Sequence, residues 1–147
     1  MSQESSVDKA PLPPFTSPDE VLNEMRDRGL DYVKVGVFDI DGILRGKYLN
    51  RAKFESALES GFGFCDVVFG WDSDDQLYDN VTFTGWHTGY PDAPVRLITE
   101  STRALPFERE GRGLFLLGEL TDDAEKICPR GTLRKVLQKA DDMGYEV

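Results

Sequence analysis

From Tyr32 to Phe38 the chain alternates, with Val33, Val35 and Val37 on one side and Lys34 and Gly36 on the other. A period of two sends successive side chains to opposite faces, so this stretch predicts a half-buried strand. Asp41-Gly42 follows. Glycine takes positive φ without a steric penalty, and Asp-Gly is a hairpin-turn dipeptide. Ile43 to Leu49 can then return antiparallel. From Arg51 to Ser60 the pattern becomes helical, with Phe54, Ala57 and Leu58 on one face and Gly61 as the stop. The order read here is β-β-α, the opening of a β-grasp-like fold.

The flanking segments extend the pattern. Ser17-Pro18-Asp19-Glu20 is a helix start: Ser17 can cap, Pro18 suits the first helical position and Glu20 completes a capping box. Val21, Leu22 and Met25 form an apolar stripe that predicts a helix over 18–28, ended by Gly29. Downstream, Phe64–Phe69, Val95–Ile98 and Gly113–Leu120 read as strands. The segment from Gly70 to Pro94 is too punctuated by Gly, Asp, Asn and Pro for regular structure. Its aromatics Trp71, Tyr78, Phe83, Trp86 and Tyr90 argue against disorder, so it predicts a long ordered loop with an interfacial or functional role. Pro129-Arg130-Gly131 opens a third predicted helix, with Leu133, Val136, Leu137 and Ala140 on its apolar face, and Tyr145–Val147 reads as the start of a strand.

Composition narrows the function. With 147 residues, one domain is expected, and 39% hydrophobic with 11% aromatic residues is enough for one core. The formal net charge of −10 opposes nucleic-acid binding, which needs a basic face to replace phosphate counterions. Cys65 and Cys128 are far apart and outside any Cys/His cluster, so zinc and thiol redox chemistry are unsupported and two buried free thiols are expected. No apolar run approaches the ~20 residues of a membrane span. Met1–Pro14 lacks the basic and apolar regions of a signal peptide, so a cytoplasmic protein with a disordered lead-in over residues 1–16 is expected. His87, the single histidine, has no second ligand beside it, and with Trp86 and Tyr90 it reads as interface or loop packing.

Two chemistries compete at Phe38-Asp39-Ile40-Asp41-Gly42-Ile43-Leu44. F-D-x-D-G resembles the nucleophile motif of haloacid-dehalogenase-type phosphatases, in which Asp39 would attack phosphorus and Asp41 would act as general acid/base. Ile43 departs from that family's Thr or Val. The pairs Asp74-Asp75, Asp122-Asp123 and Asp141-Asp142 do not follow convincing buried strands, and a parallel sheet around Asp39 would be required. The bland alternative is a polar hairpin turn, with Arg45 and Lys47 on a solvated strand face.

The second reading covers nearly the whole chain. Asp39 through Arg45-Gly46-Lys47 resembles the D-x-x-G-x-x-R-G-K hairpin of the glutamine synthetase family. Phe69-Gly70-Trp71-Asp72-Ser73 resembles its F-D-G-S-type loop, Ser101–Phe107 its S-x-R-x-x-P-W segment, and Cys128–Arg134 its P-R-x-x-L-R helix. Phe107 in place of Trp and the Gly-Trp spelling before Asp72 mark a divergent branch. The resemblance implies an α+β fold: a β-grasp-like mixed sheet with packing helices over residues 17–126, then the first helix of a catalytic domain over 127–147.

The resemblance further implies an ATP-dependent glutamate–ammonia or glutamate–amine ligase, using ATP and Mg²⁺ or Mn²⁺ held outside this chain. The 147 residues alone are expected to be inactive. The implied partners are neighbouring subunits of a ring-shaped homo-oligomer, as in a dodecamer, to which this domain offers one wall of the active site. By position, Asp72 would bind and deprotonate the ammonium or amine, with Ser73 hydrogen-bonding beside it and Trp71 walling the pocket. Asp74 and Asp75 are alternatives for that carboxylate, and a loop-capping role is the bland reading of Asp72. A non-catalytic structural relative is the other reading of the whole.

Overall fold

The computed structural model describes residue 12 and residues 14–146. Its elements are α1 (Pro18–Asp27), β1 (Tyr32–Phe38), β2 (Leu44–Asn50), α2 (Arg51–Ser60), β3 (Phe62–Cys65), β4 (Asp92–Leu105), β5 (Gly113–Leu120) and α3 (Pro129–Asp142). Three short 3₁₀ turns lie at Asp66–Phe69, Arg109–Gly111 and Asp122–Lys126. The capping box forms as the sequence dictates. Ser17 Oγ accepts the Glu20 N–H at 3.3 Å, and the Glu20 carboxylate accepts the Ser17 N–H at 3.2 Å.

The five strands make one mixed sheet in the order β2-β1-β5-β4-β3. β1 and β2 are an antiparallel hairpin whose register runs from Tyr32 opposite Asn50 to Phe38 opposite Leu44. β1 also pairs parallel with β5, while β4 is antiparallel to both β5 and β3. The outer strands β2 and β3 are far apart in the hydrogen-bonding order, yet they meet in space through one side chain. Lys47 of β2 donates to the Gly63 carbonyl of β3 at 2.8 Å and lies over the rings of Phe62 and Phe64 at 4.9 and 5.0 Å. The sheet is therefore curled. Burial, with Lys53 nearby, pulls the Lys47 ammonium below its ordinary pKa. The whole is an α+β, β-grasp-like fold.

The main core lies between the sheet and the first two helices. Val21 and Met25 of α1, Val33 and Val35 of β1, Phe54 and Ala57 of α2 and Leu114 and Leu116 of β5 are all buried there. Fully burying a side chain such as Met25 or Phe54 stabilises by ~1.5–3 kcal/mol relative to exposure. A second cluster joins Val37, Val68, Phe69, Val95, Leu120, Ala124 and Cys128. Phe15 is buried in the main core and Leu12 packs against it. Residues 1–11 and 13 of the expected lead-in lie outside the described residues.

Several expectations change. The strand read at 64–69 is β3 at Phe62–Cys65 followed by a 3₁₀ turn, because Asp66 turns inward and accepts the Thr84 hydroxyl at 2.5 Å. The strand read at 95–98 is part of a much longer β4. Its polar middle hides it: a bulge lies between Ile98 and Arg103, where Ser101 Oγ donates to the Ile98 carbonyl and accepts the Leu117 N–H. Tyr145 and Glu146 are in no regular element, and Val147 lies outside the described residues. Both cysteines are free; Cys128 is buried and Cys65 only half-buried.

α3 follows its predicted start but not its predicted packing. Leu133, Val136 and Leu137 are exposed, at 57, 59 and 41%, and Gly131 is the buried residue of the helix. Ionic contacts hold α3 instead. The Glu119 carboxylate of β5, 8% exposed, accepts from Arg130 at 3.0 Å and Arg134 at 2.5 Å on α3, and from Arg96 of β4 at 2.8 Å. Among the described residues, no helix is long and apolar enough to cross a membrane.

Candidate functional site

The hairpin turn is organised by Asp39. Its side chain is fully buried, and every interaction closes the turn. Oδ1 accepts the N–H groups of Asp41 at 3.0 Å and Ile43 at 2.8 Å, and Oδ2 accepts from Arg45 Nε at 2.7 Å. Gly42, at φ 80°, completes the turn with its N–H on the Asp39 carbonyl. A nucleophile needs an oxygen free to reach phosphorus, and Asp39 has none. Its neighbour in sequence is an antiparallel return strand rather than a crossover helix, although β1 does run parallel to β5 on its other side. The phosphatase reading of Asp39 and Asp41 is therefore corrected to that of turn residues.

Arg45 carries the hairpin's geometry to the loop after β3. Its side chain is only 19% exposed. Besides the Asp39 pair, Nη1 meets Asp75 Oδ1 at 2.6 Å, Nη2 reaches the Asp72 carbonyl at 3.4 Å, and the guanidinium stacks 5.0 Å above the Trp71 ring. The Asp39 hydrogen bond, reinforced by Asp75, pushes the Arg45 guanidinium above its ordinary pKa. Arg45 is thus no solvated strand residue. The sequence signal was present: an arginine six residues after a turn Asp, in a chain with Trp and several Asp residues in a later loop.

The three residues named as the site sit together on that loop. Asp72 is half-buried and shapes it: Oδ1 accepts the N–H groups of Asp74 and Gln76, each at 2.9 Å. The Asp72 N–H donates to the Gln76 carbonyl at 3.0 Å, and Trp71 bridges Leu77. Oδ2 makes no hydrogen bond among the described residues. Ser73 and Asp74 are exposed. Asp75 is held by Arg45, so of the three carboxylates it is the one with a fixed counter-charge. Trp71 is half-buried with one face under Arg45 and its Nε1 buried and unpartnered. Tyr78 closes the loop through its N–H on the Gly70 carbonyl. Burial and the nearby Asp41 and Asp72 carboxylates push its phenol above its ordinary pKa.

The rest of the long loop packs around this. His87 Nε2 lies 3.1 Å from the Thr82 carbonyl, and Trp86, 82% exposed, stands edge-on to Tyr90 at 5.4 Å. Among the described residues, no group of three or more His, Cys, Asp or Glu side chains could hold a metal ion. Asp39 and Asp75 are both paired with Arg45. A shallow groove lined by Arg134, Leu137, Gln138, Asp141 and Tyr145 lies on α3 and includes no residue of the Asp72 loop.

No protein-family model matches the chain. Type-1 glutamine synthetase 2 of Dictyostelium discoideum is 47% identical over 130 residues, covering 87% of this chain and 25% of that protein. A glutamate–isopropylamine ligase of Pseudomonas sp. is 30% identical over 129 residues, covering 86% of this chain and 28% of that protein. A gamma-glutamylanilide synthase of Acinetobacter sp. is 26% identical over 137 residues. The chain spans about a quarter of the length of these curated relatives. Among solved structures, a GmaS–ADP complex aligns with a TM-score of 0.60 and 18% identity over 83% of this chain and 25% of that one. A cryo-EM structure of Plasmodium falciparum glutamine synthetase aligns with a TM-score of 0.60 and 14% identity over 90% of this chain and 24% of that one. Those structural matches speak to the fold, and the sequence matches name the same lineage: the chain is an amino-terminal domain of the glutamine synthetase family.

Proposed function

We propose that this chain is the amino-terminal part of an ATP-dependent glutamate–ammonia or glutamate–amine ligase, acting in the cytoplasm. The observation that carries this reading is the 47% identity over 130 residues with a glutamine synthetase, which runs through both the hairpin and the Asp72 loop. In such a ligase, ATP with Mg²⁺ or Mn²⁺ activates the glutamate side-chain carboxylate as an acyl phosphate, and the amine displaces phosphate. The groups that bind nucleotide and metal belong to sequence outside the described residues. Residues 127–147 are the entry to that catalytic domain, and the uncovered apolar face of α3 is where it would pack.

What this domain offers is a carboxylate for the amine. Asp72 keeps one oxygen for the loop and presents the other. A carboxylate attracts an ammonium ion and can accept its proton as the nitrogen becomes nucleophilic. Ser73 stands beside it as an exposed hydrogen-bonding hydroxyl, and Trp71 supplies an apolar flank. We place this loop against a neighbouring subunit's catalytic domain in a ring-shaped homo-oligomer such as a dodecamer. The relatives named for isopropylamine and anilide products make substituted amines, as well as ammonia, acceptors to test.

The test is steady-state kinetics of the full-length protein with Asp72→Ala and Asp72→Asn. A rise of tenfold or more in amine KM, or a loss of turnover, with glutamate and ATP KM little changed, is expected. Unchanged amine kinetics in both variants would exclude Asp72. Absence of ATP-dependent γ-glutamyl transfer from the full-length wild type to any amine would favour the non-catalytic relative.

A further inference from the structure

We infer that Arg45 is the positioning residue of the amine site, and that through its contacts it holds the Asp72 loop in place and removes Asp75 as a competing carboxylate for the amine. The inference rests on the amine-site reading of Asp72 and goes beyond it. It starts from a fixed point. Asp39 is fully buried, with Oδ1 tied to the N–H groups of Asp41 and Ile43. Its remaining oxygen fixes Arg45 Nε at 2.7 Å. The other edges of the same planar guanidinium are then aimed at the loop: at Asp75 Oδ1, at the Asp72 carbonyl, and down onto the Trp71 ring.

The loop needs this anchor. From Ser73 to Leu77 its residues are exposed, and its own ladder is a single bridge between Trp71 and Leu77. The internal bonds of Asp72 Oδ1 shape the loop but do not tie it to the sheet. Arg45 supplies a side-chain tie between the hairpin and the loop, and it grips the residues on both sides of the Asp72 side chain. Arginine suits the task because its rigid fork holds several partners at set angles, whereas a lysine ammonium is a flexible point charge.

Charge gives the second half of the inference. An ammonium ion arriving at Asp72, Asp74 and Asp75 would meet three carboxylates. Arg45 pairs with Asp75 at 2.6 Å and removes it as a competitor. Asp74 is exposed and points no hydrogen bond toward Arg45, while its N–H serves Asp72. Asp72, whose own carbonyl Arg45 holds, is left in a defined place with one oxygen open.

The experiment compares Arg45→Lys, Asp75→Asn and Asp72→Ala in the full-length protein, measuring kcat and KM for amine, glutamate and ATP, with melting temperature alongside. Arg45→Lys is expected to raise amine KM about tenfold, with glutamate and ATP KM within twofold. Asp75→Asn, an exposed substitution that leaves the Arg45–Asp39 pair intact, is expected to raise amine KM about threefold. A merely structural Arg45 would lower the active fraction, and so kcat, without touching the KM ratio. If Asp72→Ala raises amine KM but Arg45→Lys and Asp75→Asn leave it within twofold, the positioning inference is overturned while the amine-site reading stands. If Asp72→Ala itself changes nothing, the amine-site reading fails and the inference goes with it. Should Arg45→Lys not fold, Asp75→Asn decides the question alone.

Discussion

Replacing Asp39 separates a turn organiser from a nucleophile more sharply than any other change in this chain. Asp39→Ala removes the acceptor for two backbone N–H groups at 3.0 and 2.8 Å and for Arg45 at 2.7 Å, in a side chain with no exposure. A hydrogen bond to a charged group contributes ~1.5–3 kcal/mol, but these three share one carboxylate and do not add fully. Breaking a buried ion pair from one side costs ~3–5 kcal/mol. Arg45 keeps Asp75 and some solvent, which places the expected loss at the lower end, ~3–4 kcal/mol. Asp39→Asn keeps an oxygen for the two backbone donors but turns an NH₂ toward Arg45, so ~2 kcal/mol is expected. For a domain of this size each kcal/mol moves the melting point by ~3–5 °C. Urea unfolding followed by tryptophan fluorescence gives both values, with an unchanged m showing that stability alone has moved. Losses below ~0.5 kcal/mol for both variants, the range of ordinary surface changes, would refute the reasoning. A nucleophilic Asp39 predicts the reverse: phosphate-ester hydrolysis by the wild type, none by Asp39→Asn, and stability unchanged or raised.

Two further outcomes follow from the packing. Burial opposes the Glu119 carboxylate, but hydrogen bonding and charge from Arg134, with Arg130 and Arg96, outweigh it and hold its pKa below the ordinary value. Such a depressed group stabilises the fold above its ordinary pKa of ~4.3 and loses that contribution as pH falls through the lower folded value. Glu119→Gln should therefore cost ~2 kcal/mol at neutral pH, discounted because its arginines are partly solvated, raise hydrogen exchange across Pro129–Asp142, and flatten the fall in stability below pH ~4. Equal acid sensitivity in both proteins would contradict this. Gly61 ends α2 at φ 75° and ψ −172°, and a Cβ there would lie 2.5 Å from the Val95 carbonyl oxygen. Gly61→Ala should lose ~2–3 kcal/mol by the same unfolding measurement, since both partners are backbone and the conformation is close to glycine-only; a loss under ~0.5 kcal/mol would show that β3 and β4 can shift.

The local parts of this fold were legible because local rules decide them. The β1–β2 hairpin, the capped start of α1 and the helix before Gly61 all follow from side-chain period and turn chemistry within a few residues. The sequence pattern cuts β4 short because its bulge carries Ser101 and Thr102, whose hydroxyls donate to the Ile98 and Thr99 carbonyls inside the strand and so look like loop residues. α3 was legible as a helix but not in its orientation. Periodicity marks an apolar face without saying what covers it, and here Arg130 and Arg134, beside that face, pair with Glu119 while Gly131 is the position that is buried. The candidate site divides the same way. Asp72, Ser73 and Trp71 could be named from a motif, whereas Arg45 gains its role only when β2 folds back beside a loop some thirty residues later in the chain.

The arginines of this acidic domain explain what kind of ligand its exposed loop can attract. The formal net charge is −10, and four of the arginines are paired with carboxylates. Arg45 is held between Asp39 and Asp75, and Arg96, Arg130 and Arg134 converge on Glu119. What remains at the loop is carboxylate, with Asp72 and Asp74 outside the Arg45 pair. A field of that sign raises the local concentration of a small cation and repels a nucleotide's phosphates. In the ligase proposed for the full-length protein, such a surface would lie on the amine's side. The R-G-K segment prepares it twice: Lys47 draws the edges of the sheet together at Gly63, and Arg45 draws the loop down onto that curled frame.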